Sequence, residues 1–262
     1  MGNSHAKDYN HSEKAGNSGD VWKHFILTVL ARNISLDSDS IHYVDCHAVA
    51  PVHDLSKGSE WQHGVKHLID NATNDNAYMD IVKKYWPEKY PSGWLIVANV
   101  LAERYKRVQV SLFDNSELVE GYYSDKDLCN LKNRGYLPEN VEVTFCKDDG
   151  FTRAADNKDK DLIFLDPPFF PDADKDWNSL TETCKELKCQ DQSFAAWYPF
   201  SGTKVRELLE RTQCEAWQVS WPDCESNLKG CGILLSDSLA TLVKGREQCL
   251  KDLTGSMDWK LD

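Results

Sequence analysis

Apolar residues follow two rhythms along the chain. Between Asp20 and Arg32, Val21, Trp22, Phe25, Ile26, Val29 and Leu30 recur at helical spacing, which predicts an amphipathic helix capped by Ser18 or Asp20, with Lys23 and His24 as surface interruptions of its apolar face. Helical patterns return from Trp94 to Tyr105, through Leu95, Val97, Ala98, Leu101 and Ala102, and from Lys204 to Arg211. Short apolar runs rich in strand formers lie at Ile41 to Asp45, Val108 to Phe113, Val141 to Cys146, Leu162 to Leu165, Phe194 to Tyr198, Ala216 to Trp221 and Gly232 to Ser236. Strands alternating with helices predict an α/β fold with a mostly parallel, doubly wound sheet and helices on both faces. The stretch 54–91 holds no strand pattern, and it sets Ile81, Val82, Tyr85 and Trp86 on one helical face. It predicts a small inserted helical subdomain over the active site, leaving 1–53 and 92–262 as the main domain.

At 262 residues, with 41% hydrophobic and 11% aromatic residues, the chain can bury a substantial core as an ordinary globular protein. No run approaches the roughly 18 apolar residues that a membrane span needs, and the polar N-terminal stretch lacks an apolar leader segment. Nine irregularly spaced cysteines read as reduced thiols, and no C-x2-C pair offers a metal site, so the expectation is a cytoplasmic protein without metal. The net charge of -12 argues against extended non-specific binding to nucleic acid, which needs clustered Lys and Arg, but leaves room for a local basic face.

The stretch most loaded with chemistry runs from Asp161 to Phe170. Leu162 to Leu165 is apolar on both faces, as a buried parallel strand requires, and Pro167 and Pro168 cannot donate to a ladder, so the strand ends at Asp166. A carboxylate then stands at the carboxyl end of a central strand, where open α/β sheets bind ligands. The alternative is a strand that merely ends in a turn. Asp166-Pro167-Pro168-Phe169 resembles the signature of methyltransferases that modify exocyclic amino groups of adenine or cytosine using S-adenosylmethionine. The chemistry accounts for the residue types. An exocyclic amine is a weak nucleophile because its lone pair is delocalised into the ring. Asp166 accepting one N–H and the Pro167 carbonyl the other would favour the geometry of attack, and Phe169 offers a ring on which an extruded base stacks.

The resemblance narrows along the rest of the chain. The stretch from Tyr9 to Asn17 (YNHSEKAGN), Asp20-Val21-Trp22-Lys23-His24, Tyr43-Val44-Asp45-Cys46-His47-Ala48, Asp149-Gly150-Phe151, the Asp-Pro-Pro-Phe stretch and Trp197-Tyr198-Pro199 occur in the order seen in bacterial large-subunit ribosomal RNA adenine-N6 methyltransferases, the methyltransferase J family. The resemblance implies a Rossmann-like class I methyltransferase with seven strands and the acids Asp45, Asp114, Asp149 and Asp166 after the first four. It implies that His24 and His47 line an S-adenosylmethionine pocket with Asp45, that Asp149 and Gly150 lie near the cofactor adenine, and that Asp166 faces both cofactor and target amine. Tyr9, His11 and Lys23 match residues that help admit the substrate base. Asp114 ends the second strand, where such folds hold an acid for the ribose hydroxyls, with Glu117 as the alternative.

Two departures matter. Where the family has a glycine-bearing Ala-Gly-Ala-Gly loop after the first strand, this chain has Ala48-Val49-Ala50-Pro51. Valine is disfavoured at positive φ and proline has φ near -65°, so the loop cannot follow the glycine path throughout. The family's serine in Pro-Gly-Ser-Pro falls at Gly93, with Ser92 adjacent as the replacement. The leading expectation is an enzyme that methylates N6 of an adenine in protein-free or partly assembled large-subunit ribosomal RNA. The alternatives are the same transfer to DNA or another RNA, transfer to a small molecule, and a non-catalytic RNA-binding protein with a degenerate cofactor loop.

Overall fold

The protein is described from a computed structural model covering residues 13–72, 76–156, 160–169, 172–221 and 228–261. The expected site residues Tyr9 and His11 lie outside this range, as does Phe170. In chain order the elements are α1 (Ser18–Asn33), β1 (Ser40–Asp45), β2 (Val52–Asp54), α2 (Val65–Asn71), α3 (Ala77–Val82), β3 (Lys89–Pro91), α4 (Gly93–Ala102), β4 (Arg107–Asp114), α5 (Glu117–Glu120), α6 (Asp125–Asn133) and β5 (Val141–Lys147). They continue with α7 (Gly150–Ala155), β6 (Leu162–Leu165), α8 (Ala173–Cys189), β7 (Phe194–Pro199), α9 (Gly202–Thr212), β8 (Glu215–Ser220), β9 (Gly230–Leu235), α10 (Asp237–Lys244), α11 (Glu247–Ser256) and β10 (Lys260–Leu261).

The main sheet runs β5-β4-β1-β6-β7-β9-β8-β10. The pairs from β5 through β7 are parallel, whereas β9 is antiparallel to both β7 and β8, and β10 to β8. The chain builds outward from β1 in one direction through β4 and β5, then returns to β6 on the other side of β1. That reversal between β1 and β6 is the topological switch point, where open α/β sheets leave a crevice at the carboxyl ends of their strands. Asp45 ends β1 opposite Phe164 of β6, and Asp166 follows β6 directly. This is the Rossmann-like arrangement of class I methyltransferases.

All seven expected strands are present, each within one or two residues of its expected ends. The β6 strand is buried on both faces along its whole length, as its uninterrupted Leu-Ile-Phe-Leu run predicts. The eighth strand, β10, has only two residues, too short to show a pattern. The same is true of β2 and β3, three residues each, which pair antiparallel at the two ends of the 54–91 stretch where no strand was expected. Within that stretch Leu55, Val65, Leu68, Tyr78, Ile81, Val82 and Tyr85 join the same hydrophobic core as Trp22 of α1 and Trp94 of α4.

The first helix departs most from expectation. Its cap is Asn17, whose side chain accepts the Asp20 N–H at 2.9 Å, one residue before the expected Ser18. It is covered on nearly every side, because it packs against α4, α10 and strands of the main sheet as well as α3 of the 54–91 stretch. Lys23 and His24 are therefore buried and are not the surface interruptions that helical periodicity suggests.

Candidate active site

Lys23 delivers its ammonium from the first turns of α1 to the end of β6. Its Nζ lies 2.6 Å from Asp166 Oδ2 and 2.8 Å from Asp20 Oδ1, with side chains 7%, 17% and 2% exposed respectively. The same Nζ stands 5.3 Å from the centre of the Trp197 ring, a cation–π contact that strengthens away from water. Trp197 also meets the Phe169 ring edge-on at 6.0 Å, and Phe169 packs on Trp177 at 4.9 Å. The ammonium that pairs with Asp166 thus also faces the outermost of three aromatic rings in mutual contact, Trp197, Phe169 and Trp177.

Phe169 adopts φ 51°, a left-handed backbone that costs a non-glycine residue roughly 1 kcal/mol or more. The wedge between Trp177 and Trp197 holds it there. No described residue donates to the Pro167 carbonyl. The backbone N–H of Asp166 donates to His47 Nδ1 at 3.3 Å. That bond requires an unprotonated Nδ1, and burial pulls the His47 ring down to about 4. His47 is neutral at neutral pH, with its hydrogen on Nε2, and its ring meets Phe151 edge-on at 4.6 Å.

Around this centre stand the other expected residues. The Asp45 carboxyl accepts the His47 N–H at 3.1 Å and the Tyr43 hydroxyl at 3.3 Å, and burial pushes it up to about 7. Asp114 accepts the Ser116 N–H at 2.7 Å and is pushed up to about 6 by burial, with no cation paired to it among the described residues. Glu117, its alternative, is exposed and paired with Lys147 at 3.3 Å. Asp149 caps α7 by accepting the Thr152 N–H at 2.8 Å. A Cβ on Gly150 would lie 1.6 Å from the Cys46 carbonyl oxygen, so only glycine lets α7 begin against the end of β1.

His24 sits apart from the Lys23–Asp166 pair. Its Nδ1 is 2.8 Å from the Tyr90 hydroxyl, which is 2.9 Å from the Tyr78 hydroxyl. A Cβ on Gly93 would lie 2.8 Å from His24 Nε2, so the imidazole occupies the room where a family serine would stand. The neighbouring Ser92 is 1% exposed at the N-terminus of α4, and its Oγ has no partner among the described residues. The departing loop has also found its own supports. Val49 O accepts the Tyr123 hydroxyl, Pro51 O accepts the Ser92 N–H at 2.9 Å, and none of its residues takes positive φ.

Two curated proteins match the chain in sequence. Ribosomal RNA large subunit methyltransferase J of Haemophilus influenzae is 27% identical over 210 residues, covering 73% of this chain and 69% of that protein. The protein of the same name from Escherichia coli is 25% identical over 221 residues, covering 78% and 72%. The chain is similar to ribosomal RNA large subunit methyltransferase J across most of its length. No family model matches it. A crystallised Legionella pneumophila protein described as family-model DUF519 is 19% identical and superposes with a TM-score of 0.73, covering 95% of this chain and 97% of that one, so the two share a fold.

Lys23, His47, Asp45 and Asp166 meet at the switch point with Phe169 three residues on, while His24 lies against Gly93 at the start of α4, which Ser92 precedes in the chain. Sequence reasoning missed Asp20, Trp177 and Tyr90 as neighbours of these residues. Trp197, within the Trp-Tyr-Pro block, carried no expected role. Their signals were weak, since an acid in a first turn and an aromatic in a strand each have ordinary explanations.

Proposed function

We propose that the chain is an S-adenosylmethionine-dependent methyltransferase that modifies N6 of an adenine in protein-free or partly assembled large-subunit ribosomal RNA. The observation that carries this reading is the Asp166 carboxylate at the switch point, ion-paired to a buried Lys23 and followed by a Pro167 carbonyl to which no described residue donates. Its setting in a chain similar to ribosomal RNA large subunit methyltransferase J supplies the substrate class.

The residues present fit the cofactor. Ser92 carries a buried hydroxyl with no partner among the described residues, at a helix N-terminus suited to a carboxylate, with His24 against the adjacent Gly93. Asp114 ends β4 as an acceptor for two ribose hydroxyls, and Asp149 with Gly150 flanks the place for an adenine. When bound, S-adenosylmethionine supplies an electrophilic methyl group on a sulfonium.

The protein's part is to present the amine. Lys23 occupies Asp166 Oδ2 and fixes the carboxylate plane, which leaves Oδ1 to accept one N–H of the target amine. The Pro167 carbonyl accepts the other, so the nitrogen lone pair is turned out of conjugation towards the methyl group. Both acceptors gain strength as positive charge develops on that nitrogen, and so they favour the transition state over the ground state. Phe169, backed by Trp177, supports the extruded ring by stacking. After transfer the nitrogen sheds its proton to Asp166 or to water.

Incubation of the protein with labelled S-adenosylmethionine and either protein-free large-subunit ribosomal RNA or DNA, followed by nucleoside analysis, tests the reading. Label in N6-methyladenosine is expected. Label only in DNA, or RNA binding without transfer, would replace it with one of the other readings.

A further inference from the structure

Asp20 lies between the candidate catalytic pair and the insertion. Its carboxylate is buried and uses both oxygens: Oδ2 accepts the Gly16 N–H at 2.8 Å, and Oδ1 lies 2.8 Å from Lys23 Nζ. An ammonium on a four-carbon stem can swing through many rotamers, so contact with one carboxylate does little to fix its direction. Two carboxylates, on Asp20 and Asp166, fix it between them.

Gly16 is itself held by the insertion. Its carbonyl accepts the Val65 N–H at 2.8 Å, and a Cβ on Gly64 would lie 2.1 Å from that oxygen and 2.4 Å from the Asn17 carbonyl carbon. Gly58 makes the same kind of approach, with a Cβ position 2.0 Å from the Glu13 carbonyl oxygen. Asn17 Nδ2 donates to Glu60 at 3.1 Å and Ser18 Oγ to the His63 carbonyl at 3.2 Å. The segment 58–64 therefore grips residues 13–18 through backbone contacts that any side chain at either glycine would force apart.

We infer that Asp20 is a positioning residue for Asp166, acting through Lys23, and that the Gly64 contact with Gly16 ties it to the insertion. The inference rests on the methyl transfer proposed at Asp166. Displacing the 58–64 segment shifts the Gly16 N–H, then the Asp20 carboxylate, then Lys23 on Asp166. The insertion thereby controls the geometry of the amine acceptor without touching it.

Asp20→Asn keeps the volume and an oxygen for the Gly16 N–H but removes the charge facing Lys23. In the full chain, at saturating S-adenosylmethionine, this substitution is expected to lower kcat on protein-free large-subunit ribosomal RNA by about tenfold to a hundredfold, with cofactor affinity by calorimetry unchanged. In a Lys23→Met background the same substitution should change kcat by less than about twofold, because the link it acts through is gone. Equal losses in both backgrounds would mark a merely structural role and overturn the inference. Gly64→Ala should lower kcat in the same non-additive way with Asp20→Asn; a folded Gly64→Ala protein with full kcat overturns the tie to the insertion. If the unsubstituted protein transfers no methyl group, the proposed function fails, and crystal structures then decide the positioning claim. Lys23 displaced from Asp166 in Asp20→Asn supports it, and Nζ still within about 3 Å of Asp166 Oδ2 refutes it.

Discussion

Lys23 Nζ lies 2.6 Å from Asp166 Oδ2 although 143 residues separate the two in the chain. The pair joins the first helix to the end of a central strand through one oxygen of the Asp166 carboxylate. Asp166→Asn preserves the volume but replaces an anionic acceptor with an amide. Methyl incorporation into large-subunit ribosomal RNA should fall by about a hundredfold or more, while the cofactor still binds. Unchanged incorporation would remove Asp166 from the mechanism.

Ser92 separates function from stability. Its buried hydroxyl has no partner among the described residues, so Ser92→Ala removes an unsatisfied group and should leave the melting temperature unchanged or slightly raised. If that hydroxyl serves the cofactor, the dissociation constant for S-adenosylmethionine should rise about tenfold, the equivalent of ~1.4 kcal/mol. Calorimetric titration and thermal melts on the same samples check both halves. Unaltered affinity would place the cofactor elsewhere.

Asp45 and His47 set opposing pH dependences. Burial pushes Asp45 up from an ordinary 3.8 to about 7, so in that window the folded protein keeps a proton that the unfolded chain has released, and stability falls as pH rises. Burial pulls His47 down from 6.5 to about 4, so the unfolded chain takes up a proton that the folded protein refuses, and stability falls as pH drops from 6.5 to 4. Asp45→Asn removes the first effect and leaves the second. It should raise the melting temperature at pH 8 by about 2–4 °C, with the gain shrinking towards pH 4. Melts across pH 4–8 test this, and a gain independent of pH would contradict it. The His47 ring resonances should titrate with a midpoint of about 4.

Gly150 is a purely steric prediction. With a Cβ position 1.6 Å from the Cys46 carbonyl oxygen, Gly150→Ala must push α7 away from β1. A loss on the order of 3 kcal/mol is expected in urea unfolding, the range of strained or overpacked core substitutions. Gly255→Ala, where a Cβ meets nothing within 4 Å, is the control and should not destabilise the protein.

Sequence by itself determined seven of the eight strands of the main sheet and the stop of β6 just before Asp166. The Leu162–Leu165 run reads as a doubly buried strand from its composition alone, and two prolines stop it at one place, so both facts are local. The acids at strand ends were legible for the same reason, because a strand's end and the residue after it are adjacent in the chain.

The tertiary structure decided whatever depends on residues brought together from afar. Helical periodicity placed Lys23 and His24 on a surface, since it describes one helix against one core. It does not register that α1 is covered on several sides, which turns Lys23 into a buried partner for Asp20 and Asp166. The Val49–Pro51 loop was a departure in sequence, yet Tyr123 and Ser92 support it without a single positive φ. Gly93 was a missing serine in sequence and is room for the His24 ring in space. In each case the deciding quantity is steric or electrostatic contact between segments far apart in the chain, which no local pattern of residues encodes.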